Sequence, residues 1–390
     1  MHFMVEPVRY AQLDESFVNG LKPYAHQAQT LEQVREAIKQ NQTICIENTS
    51  VTGSGKTLAN FAAAILDSVH ICGVYPTNEL MLDQAVSLIS YLNDEITLLD
   101  SQGLRDIRDV HPHMRTNAHA LHWATGEQVP LVLLTNPDVL YLTMYNLYGQ
   151  MFTTFGKSFG NRSFQNMLTN YQIIAFDEFH LYNAKQIANA AFIMGTMKEL
   201  APERPHIFIF SSATPQEQFK TYVRRLGVDV ISVTDTPSQV ESSRVVCEPI
   251  HVHLFPADLL HWKGGDVIRD ELGNILNWAD SLPTPARGVV IVDSVYEAKR
   301  IAADVRQYGV PLEDIGEVHG YMASEDRVKS LLRRLSIGTT TIDVGVDLTG
   351  KKQKEFLVCE ARSAAQAIQR LGRLGRHGRK TEHITRVSAK

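Results

Sequence analysis

The sequence predicts an α/β protein made of two tandem units, each a parallel sheet flanked by helices. Three observations carry that expectation. Short apolar, β-leaning runs alternate with amphipathic helical runs along nearly the whole chain. In the first half the apolar runs end in glycine-rich, hydroxyl-bearing or paired acidic turns, as loops at the carboxyl ends of parallel strands do. The Ser-, Thr- and Pro-containing stretch 234–249 lacks periodicity, and the alternation resumes after it without a second glycine-rich loop. A linker is expected there, dividing the chain into domains 1–236 and 237–390.

A length of 390 residues suffices for two or three cores, and 44% apolar with 21% charged residues excludes a disordered or fibrous chain. The net charge of −5 leaves no global basic signature, so any attraction to nucleic acid must come from local patches and backbone donors. Cys45, Cys72, Cys247 and Cys359 lie far apart with no CxxC, which suits buried thiols in a reducing compartment. With no signal peptide and no run of 18 apolar residues, a cytoplasmic protein without a membrane partner is expected.

The strongest local signal is 49–57, TSVTGSGKT, between the β-leaning run 43–47 and an amphipathic run carrying Leu58, Phe61, Ala62, Ile65 and Leu66 on one face. Strand, glycine-rich loop and helix is the context of a phosphate-binding loop. Gly53 and Gly55 can take positive φ, letting the backbone N–H groups of Thr52, Gly53, Ser54 and Gly55 turn toward phosphate oxygens. Lys56 would reach the β- and γ-phosphates of ATP and the Thr57 hydroxyl would ligate Mg²⁺. Ser50 replaces the first glycine of GxxxxGK[ST]. Upstream, 21–27 (LKPYAHQ) precedes an expected helix over 30–39.

Strand-like 70–75 ends in PTNEL, and 131–134 ends in TNPD. Thr77, Asn78, Thr135 and Asn136 thus stand where strand gives way to helix, suited to hydrogen bonds with a sugar-phosphate backbone and equally to helix capping. Segment 101–129, with His111, His113, His119 and His122, is poorly periodic and lacks metal-ligand spacing; it reads as a surface insertion, and 148–170 as a second loop or lid. The apolar strand 173–176 then ends in Asp177 and Glu178. Beside a phosphate loop, Asp177 would hold the Mg²⁺ shell and Glu178 would orient and deprotonate the attacking water. Strand 207–210 ends in SSATP, where Ser212 and Thr214 could bond His180 or Glu178 and report the state of the γ-phosphate.

Loop, paired-carboxylate strand and Ser-Ala-Thr, in this order, resemble superfamily 2 helicases of the DExH class. The resemblance implies two RecA-like domains and assigns Gln27 to reading adenine. In the second half it extends to 339–347 (TTTIDVGVD), where Thr339 and Thr340 would touch nucleic acid and Gly345 and Asp347 the nucleotide. It extends as well to 369–376, which match QRxGRxGR without a gap. There Gln369, Arg373 and Arg376 would join the catalytic site, the two arginines sharing a helical face and aiming at the γ-phosphate across a closing cleft, with Arg370 in a coupling role. A single strand held by Thr77, Asn78, Thr135, Asn136, His319, Thr339 and Thr340 would be gripped alternately and moved. Within the superfamily YPTNEL, LLTNPDVL, DEFHLYNAKQ, SSATP and QRLGRLGRHG look like the helicase subunit of CRISPR type I interference, in the type I-D form separated from its nuclease. The chain contains no His-Asp dipeptide, so in this reading single-stranded DNA opened by a guide-RNA effector complex is the track and a separate nuclease subunit cuts. An RNA remodeller and a nucleotide-switched scaffold without unwinding are the alternatives.

Overall fold

The computed structural model describes the chain except residues 94, 148–153, 213, 215–216, 241–242, 262, 283–284, 344–347, 349, 375–382 and 390; of 154–158, 260, 324, 365 and 383–389 it describes the backbone alone. Two compact units emerge, one Gln12–Asp235 and the other Met1–Ala11 with Thr236–Lys390. The opening residues carry β1 (His2–Val5) and β2 (Val8–Tyr10). The first unit then holds β3 (Ile44–Asn48), β4 (Ile71–Val74), β5 (Ile96–Leu99), β6 (Val132–Thr135), β7 (Ile173–Phe176), β8 (Ile207–Ser211) and β9 (Asp229–Val233).

These seven strands form one sheet in the order β5-β6-β4-β7-β8-β3-β9, every neighbouring pair parallel. Every residue of β3, β4, β6, β7 and β8 is buried, as expected where helices cover both faces, and this is why these runs are apolar without alternation. The register sets the functional edge. Asn48 lies opposite Ser211, Phe176 opposite both Phe210 and Val74, and Val74 opposite Thr135. The turns after β3, β8 and β7 therefore leave the sheet side by side, with those after β4 and β6 next along the same edge. Beneath the acidic turn Phe176 stacks on Phe210 at 4.7 Å, and Phe179 and Phe219 pack edgewise or tilted against Phe210 at 4.6 Å each.

The second unit is also a seven-stranded sheet. It is built from β11 (Ile250–Phe255), β12 (Gly288–Ile291), β13 (Ile315–Val318), β14 (Leu335–Gly338), β15 (Phe356–Ala361) and β16 (His383–Ala389) together with β1, in the order β1-β11-β16-β15-β12-β14-β13. All pairs are parallel except β1 with β11. Gly338 closes β14 where a Cβ would lie 2.0 Å from the Val318 carbonyl oxygen, so no larger residue fits between these strands.

Several expectations from sequence are corrected. Residues 1–11 do not join the first domain: His2–Val5 complete the ladder of β11, satisfying the backbone groups along its edge. The linker region is partly ordered as β10 (Arg244–Cys247), antiparallel to β2. Segment 101–129 is no surface insertion. It forms helices Ser101–Val110 and Asn117–His122 and a π-turn Trp123–Glu127, burying Leu104, Met114, Ala118, Leu121 and Ala124 in the core. Asp100 and Thr116 cap the two helices, the second of which, 6 residues long, is too short for its periodicity to show. Of the expected lid, Thr154–Asn170 is a helix; its glycines and asparagines are weak helix formers overridden by packing, with Met167 and Leu168 buried. The helix expected from residue 30 begins at Ala25, because Gln27 Oε1 accepts from Tyr24 N at 2.9 Å and so supplies the return half of a capping box.

Deleting residues 1–11 exposes the edge of β11 and is expected to lower the melting temperature of the second unit by roughly 5–10 °C, leaving that of Gln12–Asp235 unchanged. Calorimetry that resolves the two transitions checks this.

Candidate functional site

The loop after β3 is shaped by two left-handed glycines, Gly53 at φ 82° and Gly55 at φ 81°. Gly55 is the N-cap of helix Lys56–Asp67, whose Ala59, Phe61, Ala62 and Ala63 are buried and fix its amino end at the loop. A Cβ on Gly55 would lie 2.6 Å from Gln27 Nε2. Lys56, mostly buried, donates to the carbonyls of Ser50 at 2.8 Å and Val51 at 3.2 Å, and so spans the loop. Ser50 N donates to Asn48 Oδ1 at 3.1 Å, while the hydroxyls of Ser50 and Ser54 are buried without hydrogen-bond partners among the described residues. Thr57 Oγ1 donates to Gln84 Oε1 at 2.7 Å, which leaves its oxygen lone pairs available to a cation. Thr52 is half-buried beside them. Glycine N–H groups, an ammonium and a hydroxyl form a donor set that fits a polyphosphate and its metal.

Gln27 is buried, and both ends of its amide bind the chain: Oε1 accepts from Tyr24 N, and Nε2 donates to the Gly55 carbonyl at 3.1 Å. In this state it supports the loop.

Register brings Asp177 and Glu178 to the same edge. Burial, then the neighbouring Glu178 charge, push the Asp177 carboxyl up to about 7, and the Lys56 ammonium works against both. A second cation at this carboxylate would favour the ionised form. Asp177 Oδ1 accepts from Glu178 N at 3.0 Å. Glu178 itself has φ 45°, a left-handed conformation costing a non-glycine residue roughly 1–3 kcal/mol, and such strain concentrates at functional positions. His180 Nδ1 stands 3.2 Å from Ser212 Oγ and 3.6 Å from Glu178 Oε2. Ser212 Oγ in turn donates to Thr214 O at 2.8 Å and accepts from Thr214 N at 3.1 Å. Ser211 Oγ donates to Asn60 Oδ1 at 2.8 Å, tying β8 to the helix that follows the loop.

Further along the edge, Thr77 Oγ1 accepts from Leu80 N at 3.3 Å and Asn136 Oδ1 from Val139 N at 2.9 Å, so both side chains cap helices. Asn136 Nδ2 donates to Asn78 Oδ1 at 3.0 Å, joining the two turns. Thr135 is placed differently from the expected strand contact. It is 2% exposed and donates to Leu99 O, the carbonyl of its register partner on β5, at 2.6 Å.

In the second unit, His319 and Thr339 leave adjacent strands and are nearly buried, whereas Thr340 is exposed. His319 packs edge-on against Tyr321 at 6.1 Å. Helix Ala364–Leu371 carries half-buried Gln369 and ends at Gly372. Arg373 therefore follows the helix instead of lying on a helical face, and its guanidinium donates to Asp343 O. Gly345, Asp347 and Arg376 lie outside the described residues. Arg370 is wholly buried: Nε donates to Asp343 Oδ2 at 2.7 Å, and Nη2 lies 3.0 Å from Asp293 Oδ1 and 2.7 Å from Asp343 Oδ2. Burial raises the Asp343 carboxyl against the pull of Arg370. At Asp293 burial also acts upward, yet Arg362 and Arg370 outweigh it and hold that carboxyl below its usual value.

Asn48, Asn60, Gln84, Asp293 and Asp343 escaped the sequence reading. Asp293 at the strand-to-helix turn after β12, Asp343 inside 339–347 and Asn48 just before 49–57 carried a positional signal; Asn60 and Gln84 are set by tertiary packing alone. His111, His113 and His119 pack edge to face in series and His119 stacks on Phe159, and among the described residues no cluster of three or more His, Cys, Asp or Glu is placed to hold a metal. Among these residues no helix is long and apolar enough to cross a membrane.

Comparison with known proteins agrees with this arrangement. A family model described as DEAD/DEAH box helicase matches residues 24–222, 199 of the 390 residues and thus just over half of the chain. The ATP-dependent helicase hrq1 of Schizosaccharomyces pombe is 26% identical over 245 residues, 58% of this chain and 20% of that protein. The DUF1998 helicase MrfA bound to DNA superposes over the whole chain and 54% of its own, with TM-score 0.69 and 18% identity; its form with DNA and AMPPNP gives 0.68 and 17%, covering 53% of that chain. Mss116p bound to ssRNA and AMP-PNP gives 0.62 and 13% over 98% of this chain and 78% of its own. These likenesses show the fold, two tandem RecA-like domains. The chain spans about a fifth of the hrq1 length and about half of the MrfA chain.

Arg370→Ala leaves the largely buried Asp343 carboxylate without its guanidinium and Asp293 with Arg362 alone, and is expected to cost about 3–5 kcal/mol of second-unit stability, measured by denaturant unfolding. Gly55→Ala combines positive φ with a collision against Gln27, and should weaken AMPPNP binding by on the order of tenfold or more in a titration.

Proposed function

The chain belongs to the DEAD/DEAH box helicase family, whose members bind ATP and nucleic acid, and from that membership we propose that it is an ATP hydrolase that moves on single-stranded DNA and separates duplexes. The observation that carries this reading is the register of β7, β8 and β3, which sets the acidic turn, the Ser211–Ser212 turn and the Lys56 loop beside one another. Thr52, Gly53, Ser54, Gly55 and Lys56 would hold the phosphates, and Gln27 would meet the adenine while supporting the loop. Thr57 and Asp177 would hold Mg²⁺, which when bound supplies positive charge against the β- and γ-phosphates. Glu178 would orient water and take its proton.

The line His180, Ser212 and Thr214 would carry the state of this site to the rest of the first domain. Gly345, Asp347, Gln369, Arg373 and Arg376 would act on the nucleotide from the second domain, with Arg370 holding their support in place. For that, Arg373 must release the Asp343 carbonyl. The working division is 12–235 and 236–390, the latter with 1–11. Thr77, Asn78, Asn136 and Thr340 would meet the strand at its backbone, and His319 and Thr339 would add to them on a small local rearrangement. Contacts to the backbone imply little base preference and affinity that falls with salt.

The choice of DNA draws support from MrfA, whose structure is described as bound to DNA, and the RNA alternative from Mss116p, bound to ssRNA. The finer reading, a helicase subunit of CRISPR type I interference in the cytoplasm with an effector complex and a separate nuclease as partners, rests on the wording of the motifs; the relatives above do not bear on it.

ATP turnover should rise with single-stranded DNA, and Glu178→Gln should lower it about 10²–10⁴-fold in a steady-state assay. Turnover that survives Glu178→Gln, or never responds to DNA, contradicts the proposal. In strand displacement, preference for RNA duplexes would replace the DNA assignment with the RNA remodeller. Capture of the chain by a guide-RNA effector complex on target DNA is expected, and its absence would remove the finer reading.

A further inference from the structure

One helical turn touches both the nucleotide loop and the point where the chain leaves the first unit. Gln27 donates to the Gly55 carbonyl at 3.1 Å. Its neighbour His26, fully buried, points the other way: its backbone N–H donates to Asp235 Oδ1 at 3.2 Å, and its ring Nδ1–H donates to Asp235 Oδ2. Asp235 is the last residue of the first unit and is itself buried; Thr236 already belongs to the second. A second link runs in parallel, from Thr49 N at the loop entrance to Val233 O at 3.0 Å. The turn is braced from behind, where Thr30 Oγ1 donates to His26 O at 2.7 Å and the Tyr24 ring stacks on the imidazole.

Placing a carboxylate in the interior is unfavourable unless charge-assisted hydrogen bonds hold it. A linker-facing position would ordinarily leave such a residue in water. Here both carboxylate oxygens are bonded by the residue next to the one that touches Gly55, so a displacement of the loop backbone is passed through two adjacent side chains of a rigid turn.

We propose that His26 and Asp235 form a latch coupling the nucleotide loop to the segment that leads into the second domain, which makes His26 a positioning residue for the coupling of nucleotide state to domain movement. The inference rests on the nucleotide reading of the loop given above. Binding at the loop would shift the Gly55 carbonyl, Gln27 would follow it, and His26 would tighten or loosen its hold on Asp235. Two-state contacts of this kind carry coupling between sites without either residue touching the ligand.

Hydrogen–deuterium exchange at 233–238 in the full chain, with and without AMPPNP, reads the latch directly and does not need turnover. In the wild type AMPPNP is expected to change exchange there by about tenfold. His26→Phe keeps the ring against Tyr24 and removes the donor; Asp235→Ala removes the acceptor. Both are expected to lose the nucleotide-dependent change while binding AMPPNP within about twofold of the wild type, and Asp235→Asn, which keeps an acceptor for the imidazole, to retain most of it. No AMPPNP-dependent change in the wild type overturns the latch, and so does a change that persists in both variants. Should one variant fail to fold, the other and the wild-type comparison still decide. A wild type that binds no AMPPNP overturns the nucleotide reading and takes the latch with it; one that binds AMPPNP without the exchange effect overturns the latch alone.

Discussion

The constraint on which the first unit depends is the register of three parallel strands. With Asn48 opposite Ser211 and Phe176 opposite Phe210, the turns after β3, β8 and β7 emerge at one level. A slip of one residue in β7 would turn Asp177 to the opposite face of the sheet, away from Lys56. Register is therefore held hard, by strands buried on both faces and by the aromatic packing of Phe176, Phe179, Phe210 and Phe219 under the acidic turn. That apolar floor also leaves Asp177 and Lys56 in a low-dielectric setting where charges act strongly on one another.

The two sheets solve the same problem with different chemistry. In the first, the carboxyl edge is a glycine loop with backbone donors; in the second it is a buried ionic cluster in which Arg370 joins Asp293 after β12 to Asp343 in the helical turn after β14. A buried ion cluster adds little net stability but resists losing any member, so it fixes where the surrounding loops start. Arg373 is bonded to the backbone carbonyl of the same Asp343. Arg370 is thus an organiser of its edge, and its burial excludes direct contact with solvent-borne ligands in this conformation.

Much of this was legible in the sequence because parallel strands buried on both faces print as short apolar runs, and the loop Thr52–Thr57 and the Asp177–Glu178 pair stand where those runs stop. What was not legible depends on partners distant along the chain. Pairing of His2–Val5 with Ile250–His253 is invisible to local pattern. The helices of 101–129 and 154–170 are short or rich in weak helix formers, and packing stabilises them. Thr135 had the right residue type at the right strand end, yet which face of the sheet it occupies is decided by register. Arg373 looked helical by spacing, and Gly372 ends the helix just before it.

The central claim is that the single carboxyl edge of the first sheet serves two ligands, polyphosphate at β7-β8-β3 and a nucleic-acid backbone at β4-β6, and that the shared scaffold links them. Linkage must then be reciprocal. The direct measurement is a pair of titrations of the full chain: single-stranded DNA with and without saturating AMPPNP, and AMPPNP with and without saturating single-stranded DNA. The account predicts that each ligand changes the affinity of the other by the same factor, on the order of 5- to 100-fold. Tight binding of both with a factor of one would contradict it.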